Sequence, residues 1–241
     1  MIKIVVITDI HANLPALEAA LHAIRKEGCD LLIQTGDVIG IGPYPAECLD
    51  LLNSLPGVEH IKGNHDSYFA DGISGRHAEK MGEDEKRHHQ WVHARLTPGH
   101  RAWMAAWPYL IEHDFEGVKT AFMHSGLGAS REEIQNIPAN AGPAELDPLF
   151  APTPADVIFY GHRHPSSDVQ GKARYINPGS LGCHPHSLTR YVAVRFARGA
   201  YEVEAHTLPY DDAPLAKAFE DRQVADRQFI YRAFFGGRFS S

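Results

Sequence analysis

Ile2-Lys3-Ile4-Val5-Val6-Ile7-Thr8-Asp9-Ile10-His11 is the stretch on which the fold turns. Its first six residues are rich in β-branched side chains and read as a buried strand. The polar pair Asp9 and His11 stands at the carboxyl end of that strand. Leu14, Leu17, Leu21 and Ile24 then recur at spacings of three and four, with Asn13 as a cap, Pro15 in the first turn and Gly28 at the close, which predicts an amphipathic helix. A second apolar run over 31–35 leads into Gly36-Asp37. Strand, helix and strand in that order imply a right-handed crossover between parallel strands. In such sheets ligands gather at the carboxyl ends of the strands.

The same pattern returns three more times. The run over 58–62 ends at Gly63-Asn64-His65-Asp66, the run over 118–123 at His124-Ser125-Gly126, and the run over 157–160 at Gly161-His162-Arg163-His164. A turn carrying an exposed histidine accounts for any one of these clusters. Five clusters, each closing an apolar run, point instead to one site at one end of a sheet.

The remaining segments frame that site. The Gly- and Pro-containing loop over 38–45 lets backbone approach a bound group closely, and a short helix follows through Glu47, Leu49 and Leu52. The sequence changes character over 68–107, a polar, histidine-containing excursion with a helix over 83–96 and a restart at Thr97-Pro98; it is expected to cover part of the site. His89 and His93 are four apart, but no Glu follows His89, so a solvated helix face is expected there and at His77, His88 and His100. The Pro- and Ala-rich tract 137–154 reads as a loop with one short helix. Residues 173–176 lead to Asn177-Pro178-Gly179-Ser180, and 191–196 with 200–206 form a hairpin turning at Arg198-Gly199. A C-terminal helix is expected over about 214–235, its Phe219, Phe229, Ile230 and Phe234 packing on the body or, in a homodimer, on a second copy. The whole of 1–241 reads as a single domain.

Composition narrows the classes. The 241 residues are 44% hydrophobic and 22% charged, ordinary for a globular chain and incompatible with disorder. The first apolar run is broken at Asp9, too early for a secretory signal or a membrane span, so a cytoplasmic location is the expectation. Cys29, Cys48 and Cys183 have no CxxC spacing, which argues against a disulfide framework or a cysteine zinc site. A formal charge of −7 and the lack of a basic stripe offer no attraction for long nucleic acid or an anionic membrane. A small anionic substrate would need local positive charge, and bound metal ions can supply it.

Asp9, His11, Asp37, Asn64, His124, His162 and His164 together offer hard oxygens and borderline nitrogens and no thiolate. Such a set suits manganese, iron or zinc and is too rich for one tetrahedral ion. Two divalent transition-metal ions are the economical reading, manganese first, with Asp37 bridging them at about 3.5–4 Å. The expected chemistry is direct attack on a phosphoryl group by a hydroxide held between the metals. His65 is kept as the proton donor to the leaving oxygen, with Asp66 placed to fix its tautomer. Ser125, Ser180 and Cys183 lie in no nucleophile elbow.

Asp9-X-His11, Gly36-Asp37, Gly63-Asn64-His65-Asp66, His124 and Gly161-His162-X-His164 stand in the order and approximate spacing of the calcineurin-like metallophosphoesterases, which this chain resembles from residue 1 to about residue 196. The resemblance implies an α/β fold, a four-layered sandwich of two packed mixed sheets flanked by helices, with a dinuclear metal site. It implies one metal held by Asp9, His11, Asp37 and His164, another by Asp37, Asn64, His124 and His162, and a general-acid role for His65. Cobalt and nickel belong to the accepted metals beside manganese, iron and zinc. Residues 40–47 and 177–180 look like the small bacterial phosphodiesterase branch, which includes proteins similar to diadenosine tetraphosphate hydrolases. Ala12 departs from the pattern where Gly often follows, and Gly182-Cys183-His184-Pro185-His186 replaces an arginine-bearing loop. A phosphodiesterase acting on a small nucleotide-type ester is the expected function. A phosphomonoesterase or phosphoprotein phosphatase, and a catalytically silent scaffold with the same fold, are the alternatives.

Overall fold

The computed structural model describes residues 1–73, 81–128 and 134–240. Its strands in chain order are β1 (Ile2–Ile7), β2 (Leu31–Gln34), β3 (Val58–His60), β4 (Leu110–Phe115), β5 (Val118–Met123), β6 (Val157–Phe159), β7 (Ser167–Gln170), β8 (Arg174–Asn177), β9 (Leu188–Ala197) and β10 (Ala200–Pro209). The helices are α1 (Leu14–Glu27), α2 (Pro45–Asn53), α3 (Asn64–Ala70), α4 (Glu83–His93), α5 (Pro98–Ala105), α6 (Pro143–Phe150), α7 (Ala213–Asp221) and α8 (Arg227–Phe234).

Two five-stranded mixed sheets result, ordered β10-β9-β1-β2-β3 and β4-β5-β6-β8-β7. In the first, β1, β2 and β3 are parallel, with Ile4 opposite Leu31 and Leu32 opposite Val58, while β9 runs antiparallel to β1. In the second, β5, β6 and β8 are parallel and β4 and β7 close the edges antiparallel. The inner faces meet through Ile4, Val6 and Ile33 on one side and Phe122, Phe159 and Ile176 on the other. The outer face of the first sheet buries Val5 and Ile7 under α1 and α2 through Leu17, Leu21 and Leu49, and α6 covers the second through Leu146 and Phe150. Each such side chain contributes roughly 1.5–3 kcal/mol when fully buried. The expected α/β sandwich of helix, sheet, sheet and helix is therefore present.

Local chemistry sets the element ends. The Asn13 side chain accepts the Ala16 N–H at 3.1 Å to cap α1, and Thr97 accepts the His100 N–H at 3.1 Å to cap α5. The hairpin of β9 and β10 turns at Arg198-Gly199, as expected.

The structure departs from expectation in four places. Edge strands β4 and β7 are additional, and their alternating, half-exposed residues explain why no continuous apolar run announces them. Asn64 begins a helix rather than a turn. The segment 214–235 is two helices, not one, because Gln223 and Asp226 take left-handed backbone angles of 52° and 61° between α7 and α8. His89 is buried and stacks on Phe69 with ring centroids 4.9 Å apart, whereas His93 is exposed. The part of the excursion at 74–80, with His77, lies outside the described residues. Among the described residues no helix is long and apolar enough to cross a membrane.

Candidate functional site

Asp9 and His11 follow β1, Asp37 follows β2, Asn64 follows β3, His124 follows β5, and His162 and His164 follow β6. All of them stand at the carboxyl ends of the parallel strands of both sheets. The backbone there is unusual. Asp9, His11, Ala12, Asp37 and His162 take positive φ of 52°, 48°, 53°, 56° and 68°. Such conformations persist in non-glycine residues only where the surroundings over-determine them. Here the β1 and β2 loops clasp each other: the N–H groups of Asp9, His11 and Ala12 donate to the carbonyls of Gly36, Asp37 and Val38 at 3.0, 3.0 and 2.8 Å. The left-handed Ala12 explains why glycine suits that position.

Two groups of donor atoms converge around Asp37. His11 Nε2 lies 3.8 Å from Asp37 Oδ2, 3.6 Å from Asp9 Oδ1 and 3.0 Å from His164 Nε2, and His164 Nε2 lies 3.8 Å from Asp9 Oδ1. On the other side His124 Nε2 lies 3.1 Å from the same Asp37 Oδ2 and 3.2 Å from Asn64 Oδ1, which is 2.9 Å from His162 Nδ1. Ligand atoms of His65, His11 and Asp37 also fall within 4.8 Å of one another. The structure thus brings every sequence-predicted ligand, and His65, into one cluster.

The supporting contacts orient these rings. His124 directs Nδ1 at the Thr35 carbonyl, 2.9 Å away, and His11 directs Nδ1 at the Ile39 carbonyl, 3.3 Å away, so both present Nε2 to the centre. Thr8 Oγ1 donates to Asp9 Oδ2 at 2.8 Å, and the His162 N–H donates to the same oxygen at 3.1 Å. The packing leaves no room for a side chain at the motif glycines: a Cβ on Gly63 would stand 2.2 Å from Asp37 Oδ1, and one on Gly161 would stand 2.0 Å from Thr8 Oγ1.

Asp66 departs from the expectation that it would hold the His65 ring. Adjacent positions on a helix do not face each other, and the Asp66 carboxylate turns to backbone. It accepts the N–H groups of Gly63 at 3.0 Å, Asp37 at 2.8 Å and Val38 at 3.0 Å, bracing the Asp37 loop against the start of α3.

Charge follows from burial and neighbours. Burial opposes the charged form of Asp9, but the close rings of His11, His124 and His164 outweigh it and hold the carboxyl at about 2. Asp37 is likewise held well below the usual carboxylate range, burial being overcome first by His124 and His65. Burial pushes His65 down to about 3 and His164 down to about 4, so both rings are neutral near pH 7. His124 is the exception: burial disfavours its charge, yet Asp37 beside it lifts it to about 9.

These residues fit a metal. Asp9 Oδ1 is buried and has no hydrogen-bond partner, an expensive state for a carboxylate oxygen unless a cation meets it. The ring nitrogens of His11 and His164 face each other at 3.0 Å, as two lone pairs do around a common cation. Nitrogen and oxygen donors of this kind could hold manganese, iron or zinc.

Further residues at the site gave little signal in the sequence. Thr8 and Ser180 fix Asp9, the latter by donating its hydroxyl to the Asp9 carbonyl at 2.7 Å. Gly40 has φ of 121° and makes room for His65, whose Nδ1 would be 2.6 Å from a Cβ there. Phe234 places its ring 5.6 Å from that of His164 and joins the wall of the cleft with Arg163, so it is not merely a body-packing aromatic. Arg190 is spent on His184, 2.6 Å away. The buried Cys183 thiol comes within 4.8 Å of ligand atoms of His11 and His164, and burial pushes it well above its ordinary pKa, so it is a thiol rather than a nucleophile.

Comparison with known proteins identifies the family. The model of the calcineurin-like phosphoesterase superfamily domain matches residues 2–198. The Escherichia coli K12 phosphodiesterase YfcE is 26% identical over 191 residues, covering 75% of this chain and 80% of that protein. The uncharacterised protein MJ0912 of Methanocaldococcus jannaschii is 28% identical over 233 residues, covering 90% of each chain. The solved structure of PH1004 from Pyrococcus horikoshii OT3 shares the fold, with a TM-score of 0.79 and 18% identity over 98% of this chain and 99% of that one. With a family model spanning most of its length, the chain belongs to the calcineurin-like phosphoesterase superfamily, metal-dependent hydrolases of phosphoester bonds.

Proposed function

We propose that the chain is a dinuclear-metal phosphodiesterase acting on small, nucleotide-type esters. The observation that carries this reading is the position of Asp37 Oδ2, 3.8 Å from His11 Nε2 and 3.1 Å from His124 Nε2, shared between two groups of donors. Asp9, His11, Asp37 and His164 would hold one ion, and Asp37, Asn64, His124 and His162 the other. Bound there, the pair supplies Lewis acidity that lowers the pKa of water and offsets charge on the phosphoryl group. Manganese is favoured by the mixed nitrogen and oxygen set, and a phosphodiesterase relative supports the diester preference.

The chain's own residues do the rest. His65, neutral at pH 7, presents ring N–H to the leaving oxygen, and the negative charge of a bound ester raises its basicity toward the range useful for proton transfer. Asp66 and the Thr8 hydroxyl keep Asp37 and Asp9 in place. Arg163 in the cleft wall offers a cation to a non-bridging oxygen.

The test is hydrolysis of bis(p-nitrophenyl) phosphate by metal-stripped protein re-supplied with manganese, beside His65→Ala and Asp37→Asn. Metal-dependent turnover that falls at least 100-fold in both variants is expected. Wild-type protein that binds two ions yet prefers p-nitrophenyl phosphate would overturn the diester assignment.

A further inference from the structure

A second cavity of about 350 Å³ adjoins the cleft, and His65 and Phe234 stand in the walls of both. That volume falls in the range of small-molecule sites, about 300–1,000 Å³. Its other walls come from α4 and α8, and α8 lies beyond residue 198, where the family match ends. The walls are tied together. His88 meets the Gly40 carbonyl through one ring nitrogen and the Ala225 carbonyl, 3.0 Å away, through the other. Trp91 Nε1 donates to the Arg222 carbonyl at 3.1 Å. The excursion helix, the Gly40 loop and the α7–α8 connection therefore hold one cavity open beside the residue assigned to the leaving oxygen.

The lining states what the cavity takes. Ile41, Phe229, Ile230 and Phe234 make it mainly apolar, and the rings of Phe229 and Phe234 stand edge to face with centroids 6.3 Å apart. Phe229 is 52% exposed, an unusual position for a phenyl ring unless something covers it. Its charged groups are three carboxylates, Asp84 and Glu85 in the first turn of α4 and Asp226 at the start of α8, beside the rings of His65, His88 and His89, of which His88 is turned to backbone carbonyls and His89 stacks on Phe69. The carboxylates answer the positive ends of both helices, and Asp84 is also paired with Arg87. Among the described residues neither Lys nor Arg lines this cavity. Of the described residues, those a further phosphate would meet there are three carboxylates and no guanidinium.

We infer that this cavity is the leaving-group subsite and that it takes an uncharged aromatic alcohol of nucleoside size, not a polyphosphate chain. The inference rests on the diesterase reading above. In the reaction the P–O bond to the aromatic alcohol breaks, a water oxygen takes its place on phosphorus, and the released alcohol oxygen gains a proton from the His65 ring, which is restored by the proton the water gives up. Apolar walls take the flat ring, and the carboxylates accept its amino or hydroxyl donors. A dinucleoside polyphosphate, whose leaving group carries further phosphates, fits poorly, which departs from the diadenosine tetraphosphate hydrolase resemblance.

The test is binding to the full-length, metal-stripped protein by saturation-transfer NMR, with adenosine, 2-phenylethanol and ATP as probes. Expected are adenosine binding at least tenfold tighter than ATP and a fivefold or greater weakening in Phe229→Ala, whose exposed position spares the fold. Adenosine tighter than 2-phenylethanol assigns a nucleoside, and the reverse a simpler aryl alcohol. ATP binding as tightly as adenosine, or adenosine binding unchanged in Phe229→Ala, overturns the subsite. Because this binding needs neither metal nor turnover, its failure is separable from failure of the diesterase assay.

Discussion

Asp66 Oδ2 accepts the backbone N–H of Asp37 at 2.8 Å, across 29 residues of chain. Through that bond and those to Gly63 and Val38, one buried carboxylate joins the loop after β2 to the loop after β3. Burial and the charge of Asp37 push the Asp66 carboxyl up to about 7, against the backbone donors that favour its ionised form. Asp66→Ala leaves those N–H groups buried without an acceptor, at roughly 1–3 kcal/mol each. It is expected to lower unfolding free energy by about 3 kcal/mol and manganese affinity by about 10–100-fold, as losses of ligand-supporting partners do. Denaturant melts and manganese titration read both. A variant that keeps wild-type metal affinity and loses only turnover would return Asp66 to a role on His65.

Gly63→Ala tests how tightly the motif loops interlock. The added Cβ would lie 2.2 Å from Asp37 Oδ1 and 2.4 Å from Asp37 N, and backbone cannot yield as a flexible side-chain end does. Overpacking of this kind costs about 1–3 kcal/mol, so a clear fall in Tm together with weakened metal binding is expected. Gly99→Ala is the contrast. In α5 its Cβ would meet only Thr97 Oγ1, at an ordinary 3.6 Å, and the better helix former is expected to stabilise by up to about 1 kcal/mol.

How much of this was legible depended on whether a signal was local. The parallel strands β1, β2, β5 and β6 announced themselves because both faces are buried, and the site residues because each follows such a run directly. Strand β4 did not: Glu112, His113 and Asp114 interrupt its apolar pattern at a sheet edge, and only pairing with β5 makes it a strand. The break between α7 and α8 was invisible because Arg222-Gln223-Val224-Ala225-Asp226 contains neither Gly nor Pro, and tertiary packing holds Gln223 and Asp226 left-handed. Asp66 is legible as a site residue but not in its contacts, since two of its backbone partners, Asp37 and Val38, lie in another loop, 29 and 28 positions away in sequence. The cavity between α4 and α8 joins residues more than 100 positions apart and left no local trace.

Removing one group of donors separates the two proposed metals. His162→Ala touches only the group of Asn64, His124 and His162, so bound manganese is expected to fall from about two ions per chain to about one. Asp37→Asn should weaken both. Loading should also stabilise the chain, by about 2.7 kcal/mol when free metal is 100 times its Kd, and a chelator should reverse that Tm rise. A His162→Ala protein that still retains two ions by elemental analysis would refute the partition.

His60 supplies a pH dependence away from the donor cluster. Its ring stacks on Trp107 with centroids 5.0 Å apart and packs edge-on against Trp103 at 4.9 Å, and its Nδ1 is buried without a partner. Burial pushes its pKa from the ordinary 6.5 down to about 4. The folded chain therefore binds this proton less readily than the unfolded chain, and stability rises with pH across the interval between the two values. The contribution is full above pH 6.5 and is lost as pH falls through 4, an effect of up to about 3 kcal/mol at roughly 1.4 kcal/mol per pKa unit. His60→Phe keeps the stacking surface and removes the titration. Urea melts of the metal-free protein should then show the variant gaining on wild type between pH 6.5 and 4, with the difference constant above pH 7. Parallel profiles for the two proteins across the whole range would show that His60 does not carry this acid sensitivity.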